Sequence, residues 1–168
     1  MFLITKIKES EDFNKVLLNL LEKIPNNPLK EDNDCIEHTD WNLPKDLKRE
    51  YVEYFLKIIR PYLEKIAVSF KSKKISIGEI WFQQYIKSGV HQWHNHPYTN
   101  WTNVYFVELP SKDLATEILN YDKLDIEEGD MLTFPAYIYH RSPPNFSDSR
   151  KTIISFNSNF YNFNNNVE

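Results

Sequence analysis

Apolar residues in the first 70 positions recur every three to four residues, which is the spacing of one helix face. The first run covers 10–24 and ends at two prolines, so it predicts a helix. A second run starts near Pro44 or Asp46 and continues to Phe70, with Pro61 predicted to kink the helix or to start a fresh turn. Between them, 26–43 has no periodicity and predicts a loop.

From position 75 onward β-branched and aromatic residues dominate, and turn residues punctuate them. Long strands are predicted over 75–86, 102–109 and 151–160, and shorter ones over 115–119, 131–134 and 137–139. Two helices followed by at least six strands, without alternation between the two, predict an antiparallel sandwich or barrel buttressed by helices. We expect one domain over 1–168: a helical buttress (1–70), a β core (71–161) and a polar tail (162–168).

Composition narrows the class of protein. The chain has 168 residues, 41% of them hydrophobic and 26% charged, which is typical of one globular domain. A net charge of −4 argues against duplex nucleic acid as a partner. No apolar run is long enough to cross a membrane, the N-terminus does not resemble a signal peptide, and one cysteine, Cys35, excludes an internal disulfide. These features predict a cytoplasmic protein.

Three of the five histidines, His91, His94 and His96, fall within six residues. In an extended strand, residues two apart point to the same face, so His94 and His96 can converge on one metal ion while His91 faces away. A polar strand end with hydrogen-bonded imidazoles fits the same spacing. A bulge in the strand would make His91 an alternative ligand.

The second part of this pattern lies downstream. His140 follows a predicted strand, and a late histidine can complete a triad with His94 and His96. Arg150 comes ten residues later, and its planar fork matches a carboxylate with two hydrogen bonds. A surface salt bridge is the alternative interpretation of Arg150.

Taken together, these motifs resemble the iron(II)/2-oxoglutarate-dependent dioxygenase superfamily, and most of all its small prolyl-hydroxylase-like oxygenases of phages and marine bacteria. The resemblance covers roughly 75–160. It rests on His94-Asn95-His96-Pro97, on the 104–107 strand, on the 129–135 segment, on His140 and on Arg150-Lys151-Thr152. It implies a double-stranded β-helix, a jelly-roll barrel with the metal at one mouth.

The resemblance also implies roles for individual residues. His94 and His140 match the first and last iron ligands, and His96 occupies the middle position, where the superfamily usually has a carboxylate. Arg150 matches the arginine that holds the distal carboxylate of 2-oxoglutarate, and Thr152 matches the small hydroxyl residue two positions further on. Further cosubstrate contacts are expected from Tyr85, from Tyr105 (or Phe106, which lacks the hydroxyl), and from Asn157, for which a strand-edge amide is the alternative. The cofactors implied are Fe(II) and 2-oxoglutarate.

The expected reaction is hydroxylation of a peptide, prolyl or small-molecule substrate, with release of succinate and carbon dioxide. Aromatic residues that flank the ligands predict either a substrate cleft or packing at the barrel mouth; they are Trp93, Tyr98, Trp101, Tyr137 and Tyr139. The 26–43 loop is expected to cover that mouth as a lid. The alternatives are a cupin-type three-histidine metalloenzyme that needs no cosubstrate, and a non-enzymatic β-sandwich binding module of a phage particle. For a phage protein, the expected location is the host cytoplasm.

Overall fold

The computed structural model describes residues 1–162. The helices are α1 (Ser10–Leu21) and α2 (Glu50–Ser69), and a short 3₁₀ helix spans Lys112–Leu114. The strands, in chain order, are β1 (Leu3–Lys6), β2 (His38–Thr39), β3 (Lys74–Tyr85), β4 (His91–His94), β5 (Trp101–Glu108), β6 (Glu117–Ile118), β7 (Asp130–Pro135), β8 (His140–Ser142) and β9 (Lys151–Tyr161).

The strands form two antiparallel sheets. The larger has the order β1-β7-β5-β9-β3-β2, and the smaller has the order β4-β8-β6. Within 1–162 neither sheet closes on itself. The predicted mainly-β fold with N-terminal helices is therefore confirmed, whereas a double-stranded β-helix barrel stays a prediction.

The two faces of the large sheet have different neighbours. On one face, Tyr105, Ile154 and Phe156 pack in a core cluster with residues of both helices, such as Leu17 and Phe55. On the other face lies a second core cluster that includes Ile118 of the small sheet and residues of the large one such as Val104, Phe106, Leu132 and Ile153. Because side chains alternate along a strand, odd-numbered residues of β9 face the space between the sheets and even-numbered residues face the helices.

Several element boundaries differ from the sequence prediction. Helix α1 ends at Leu21 instead of Ile24, and α2 begins at Glu50, after a series of turns. Helix α2 continues through Pro61, whose ring is on the exposed side. The short strands β1 and β2 were not predicted, and the strand expected over 137–139 begins instead at His140.

The predicted division into a helical part and a β core of a single domain stays a prediction, and 163–168 of the expected tail lie outside the described residues. Across 1–162, none of the helices has both the length and the apolar character that a membrane span requires. The cytoplasmic location likewise stays a prediction.

Candidate metal centre

Three histidines lie close together at one end of the small sheet. His94 ends β4, His96 follows it, and His140 begins the neighbouring strand β8, where it pairs with His94. One ring nitrogen from each of the three lies within 4.8 Å of the others. Ligand nitrogens about 2.0–2.1 Å from a metal lie about 3 Å or slightly more apart, so small ring rotations would close this site around an ion.

Hydrogen bonds fix the tautomer of all three rings. The Nδ1 atoms of His94 and His140 donate to the backbone carbonyls of Gln92 (2.7 Å) and Ile138 (3.0 Å). The Nδ1 of His96 donates to Oδ1 of Asn157 at 2.7 Å. With the proton on Nδ1, each Nε2 keeps its lone pair for a metal, which is the usual arrangement in metal-binding histidines.

The surroundings keep these imidazoles uncharged. Burial lowers the pKa of His140 to about 2, and it also lowers the pKa values of His94 and His96. Metal ions bind the neutral form of histidine, so the three ligands need no deprotonation near neutral pH. The chemistry of the donor set therefore fits a divalent metal ion that accepts nitrogen ligands, such as iron(II) or zinc.

His91 has other partners. The prediction that it faces away from His94 and His96 is wrong, because the irregular strand turns its ring onto that of His94, with centroids 3.9 Å apart. The amide of Gln83 donates to its Nδ1 at 3.2 Å, and its Nε2 lies 3.5 Å from Oδ2 of Asp34. Although the pairing of β4 is irregular between His91 and His94, as the alternative ligand would require, both nitrogens of His91 face protein groups.

A lysine lies deeper between the sheets. The Lys151 side chain is fully buried, its Nζ donates to Oγ of Ser142 at 2.7 Å, and it lies 5.2 Å from the ring centroid of Tyr85. Tyr85 is buried as well, and its hydroxyl makes no hydrogen bond of normal geometry to any of the described residues. A buried ammonium near a tyrosine whose buried hydroxyl lacks such a partner is an arrangement that can receive an anion.

Arg150 and Thr152 lie on the opposite face of β9. The guanidinium of Arg150 donates to both carboxylate oxygens of Glu108, at 2.8 and 3.0 Å, and the hydroxyl of Thr152 donates to the same carboxylate. The structure therefore places Arg150 in an ion pair, as in the alternative interpretation, and separates both residues from the histidines. The reason is the alternation along β9, which turns Lys151 inward and its two neighbours outward.

The two tyrosines predicted to contact the cosubstrate also separate. Tyr85 faces the space between the sheets and lines a small cavity with all three metal-site histidines. Tyr105 faces the helices, where its hydroxyl donates to Oδ1 of Asn14 in α1 at 2.7 Å. Phe106, the other candidate at that position, faces the inner space but has no hydroxyl.

An open cleft of about 390 Å³ leads to the histidines. It shares Trp81, Gln83 and the 91–96 histidines with the inner cavity, which is only about 20 Å³. Of the flanking aromatics, Tyr98 lines this cleft, whereas Trp101 stacks on Phe70 of the helical side. The 26–43 loop contributes Leu29, Asp34 and Trp41 to the cleft wall, and its action as a lid stays a prediction.

We expect Asn157→Ala to lower metal affinity by about tenfold, because the His96 ring loses the acceptor that orients it. Competition with a chelator of known affinity measures the effect. Asn159→Ala is the matched control two residues along β9, since that side chain accepts a hydrogen bond from the Asn100 backbone instead. Equal metal affinities of the two variants would contradict this role of Asn157.

Because of Lys151, the free energy of unfolding of the metal-free protein should depend on pH. Burial lowers the pKa of its ammonium to about 7, from 10.5 in the unfolded chain. Between these values the unfolded chain binds a proton that the folded chain releases, so unfolding free energy should rise by up to ~1.4 kcal/mol per pH unit. Urea unfolding at pH 7, 8.5 and 10 measures this, and the rise should be absent from Lys151→Met. A parallel rise in both proteins would show that other groups cause it.

Comparison with known proteins gives structural matches only, since the sequence matches no family model and no curated protein. The fold is similar to that of a viral collagen prolyl hydroxylase from Paramecium Bursaria Chlorella virus-1, solved as a 2OG complex, with 15% identity, a TM-score of 0.64 and coverage of 94% of each chain. A prolyl hydroxylase from Trichoplax adhaerens, in complex with a hypoxia inducible factor peptide fragment, matches with 14% identity and a TM-score of 0.64, covering 94% of this chain and 82% of that one.

A third match is the non-heme alpha ketoglutarate dependent epimerase SnoN from nogalamycin biosynthesis, with 10% identity and a TM-score of 0.70. It covers 94% of this chain and 77% of that one. The predicted resemblance to the iron(II)/2-oxoglutarate oxygenases is thus confirmed as a likeness of fold. Membership of the phage and marine bacterial subgroup stays a prediction.

Proposed function

We propose that this protein is an Fe(II)- and 2-oxoglutarate-dependent oxygenase that hydroxylates a peptide or small-molecule substrate. The observation that carries the proposal is the convergence of three neutral histidines at the end of a cleft, in a fold shared with such oxygenases. The two facing sheets also support the predicted double-stranded β-helix. Cytoplasmic location and a single-domain organisation belong to the same proposal.

His94, His96 and His140 would hold the iron through Nε2. Bound iron and 2-oxoglutarate together supply the oxidation: one atom of O2 enters a substrate C–H bond, the other enters succinate, and carbon dioxide leaves. The chain supplies the geometry, because Gln92, Ile138 and Asn157 orient the three rings.

Lys151 would take the distal carboxylate of 2-oxoglutarate, in place of the arginine that the family resemblance assigned to that role. Its ammonium lies directly behind the cavity that the histidines line, where it donates to Ser142, and both Ser142 and Tyr85 line that cavity. The inner cavity of about 20 Å³ has room for about one water molecule, so a five-carbon diacid would enter as the side chains around it move apart. Arg150 and Thr152 would support the strand through Glu108 instead.

The proposal is tested by anaerobic titration of the iron-loaded protein with 2-oxoglutarate, followed by a succinate assay in air. We expect a charge-transfer absorption band on titration and succinate formation even without a substrate. A protein that binds iron but gives neither band nor succinate would contradict the proposal. A protein that binds no divalent metal would favour a non-enzymatic binding module.

The three-histidine set itself favours a second candidate, a cupin-type metalloenzyme that acts without a cosubstrate. Three imidazoles leave the centre one charge unit more positive than two imidazoles and a carboxylate. The sequence favoured 2-oxoglutarate because Arg150 was expected to bind its carboxylate, but Arg150 is paired with Glu108. The preference for a cosubstrate now depends on the buried Lys151. Iron binding without any effect of 2-oxoglutarate would favour this second candidate.

A further inference from the structure

The wall of the cleft in front of the histidines combines acidic and aromatic side chains. Two carboxylates, Asp34 and Glu79, line it together with the aromatic rings of Trp41, Trp81 and Tyr98. Among the described residues that line it, none is a lysine or an arginine. Trp41 and Trp81 meet edge to face with centroids 4.6 Å apart, and half of the Trp41 side chain is exposed.

Resting on the proposed function, we propose that the substrate of this cleft carries a positively charged nitrogen group, bound at Glu79 and the Trp41–Trp81 pair. Aromatic faces attract organic cations through their quadrupole, and a nearby carboxylate adds direct charge attraction. An anionic substrate would meet two carboxylates on this wall, and the lysine paired with one of them, Lys45, already binds Glu79.

An ammonium group of the chain itself already binds the Glu79 carboxylate. Nζ of Lys45 lies 2.7 Å from Oε1 of Glu79, at the outer edge of the cleft. Both side chains are mostly exposed, at 87% and 54%, and such surface pairs contribute little to stability. A substrate cation can therefore replace Lys45 at Glu79 with little loss.

The charge of the metal does not oppose this assignment. Iron(II) held by three neutral histidines would carry two positive charges, and the two carboxylates of 2-oxoglutarate would cancel them. Once a substrate cation displaces Lys45 from Glu79, a protonated Lys151 would be outnumbered by Asp34 and Glu79, so the loaded site would be negative by one charge. A singly charged cation would bring the site to neutrality, with its positive nitrogen at Glu79.

The test compares two probes of the same shape, choline and its uncharged analogue 3,3-dimethylbutan-1-ol. Zn(II)-loaded protein, with and without 2-oxoglutarate, is titrated with each probe, and binding is followed by calorimetry and by tryptophan fluorescence. We expect choline to bind roughly tenfold more tightly than the alcohol. Glu79→Gln should remove most of this preference, and Lys45→Met should increase choline affinity, since Glu79 then has no competing ammonium.

Glu53→Gln, an exposed carboxylate of α2 outside the cleft, is the matched control and should change neither affinity. Equal binding of the two probes, no binding of either, or a preference that survives Glu79→Gln would overturn the assignment. Because zinc supports no oxidation, these outcomes are separate from the proposed function. Normal succinate formation with no choline preference overturns only the cation site, whereas choline selectivity in a protein that forms no succinate overturns only the oxygenase.

Discussion

Replacing Lys151 by methionine is expected to lower the affinity for 2-oxoglutarate by about 30-fold or more while iron binding is retained. The ammonium is a buried cation bonded to Ser142, which lines the inner cavity, and loss of one partner of a buried charge pair costs about 2–5 kcal/mol. Methionine keeps the length of the side chain and removes the charge. Anaerobic titration with 2-oxoglutarate measures the affinity, and chelator competition measures the iron.

The adjacent arginine provides the matched control. Arg150→Met should leave 2-oxoglutarate affinity within about twofold, because its guanidinium is held by Glu108 on the helix side of the sheet. Lys151→Met should fold at least as stably as the parent, since a buried amine costs free energy that an apolar chain does not. If Arg150→Met weakens 2-oxoglutarate and Lys151→Met does not, the role predicted from the sequence is right and the role proposed for Lys151 is wrong.

These two adjacent residues show what the sequence was able to predict. Asn157 and Arg150 were both expected near the cosubstrate, although Arg150 immediately precedes β9 at an odd number of positions from Asn157, so the extended chain turns them to opposite sides. The alternation rule applied to β9 would have selected Lys151 together with Asn157. It was not applied, because a lysine in a strand usually faces solvent and the family pattern has an arginine at this distance from the last histidine.

The histidine cluster was predictable for a different reason. His94 and His96 are two positions apart at the end of β4, so their closeness follows from the local sequence whatever the remaining topology is. Adding His140 required the family pattern, because only the pairing of β8 with β4 places it beside His94. The contribution of Asp34 and Trp41 to the cleft was not predictable, since a loop without periodicity gives no information about its path.

The short edge strands were missed for a physical reason as well. β2 has two residues and β1 has four, which is too short for alternation to differ from chance. Both are held by pairing with longer neighbours, β1 with β7 and β2 with β3. Long-range partners of this kind determine such strands, and the local sequence does not.

Replacing His96 has the clearest expected effect on the metal. His96→Ala leaves two histidine ligands and should lower iron(II) affinity by roughly 100-fold or more, since loss of a mere hydrogen-bond partner of a ligand already costs 10–100-fold. His96→Asp should keep iron(II), because it creates the two-histidine, one-carboxylate set that suits this ion. Asn157 can turn its amide and donate to the new carboxylate, since an asparagine side chain offers both a donor and an acceptor.

His91→Ala is the matched control within the same segment, because the His91 ring stacks on His94 while its nitrogens face Gln83 and Asp34. Its iron affinity should stay within about tenfold of the parent's. A tenfold loss is the lower end of what is typical when a group that supports a metal ligand is removed. Iron content, chelator competition and succinate formation are compared across the parent and all three variants. Full iron retention by His96→Ala would show that His96 is not a ligand. Strong loss in His91→Ala together with retention in His96→Ala would mean that the bulged strand presents His91 to the metal instead.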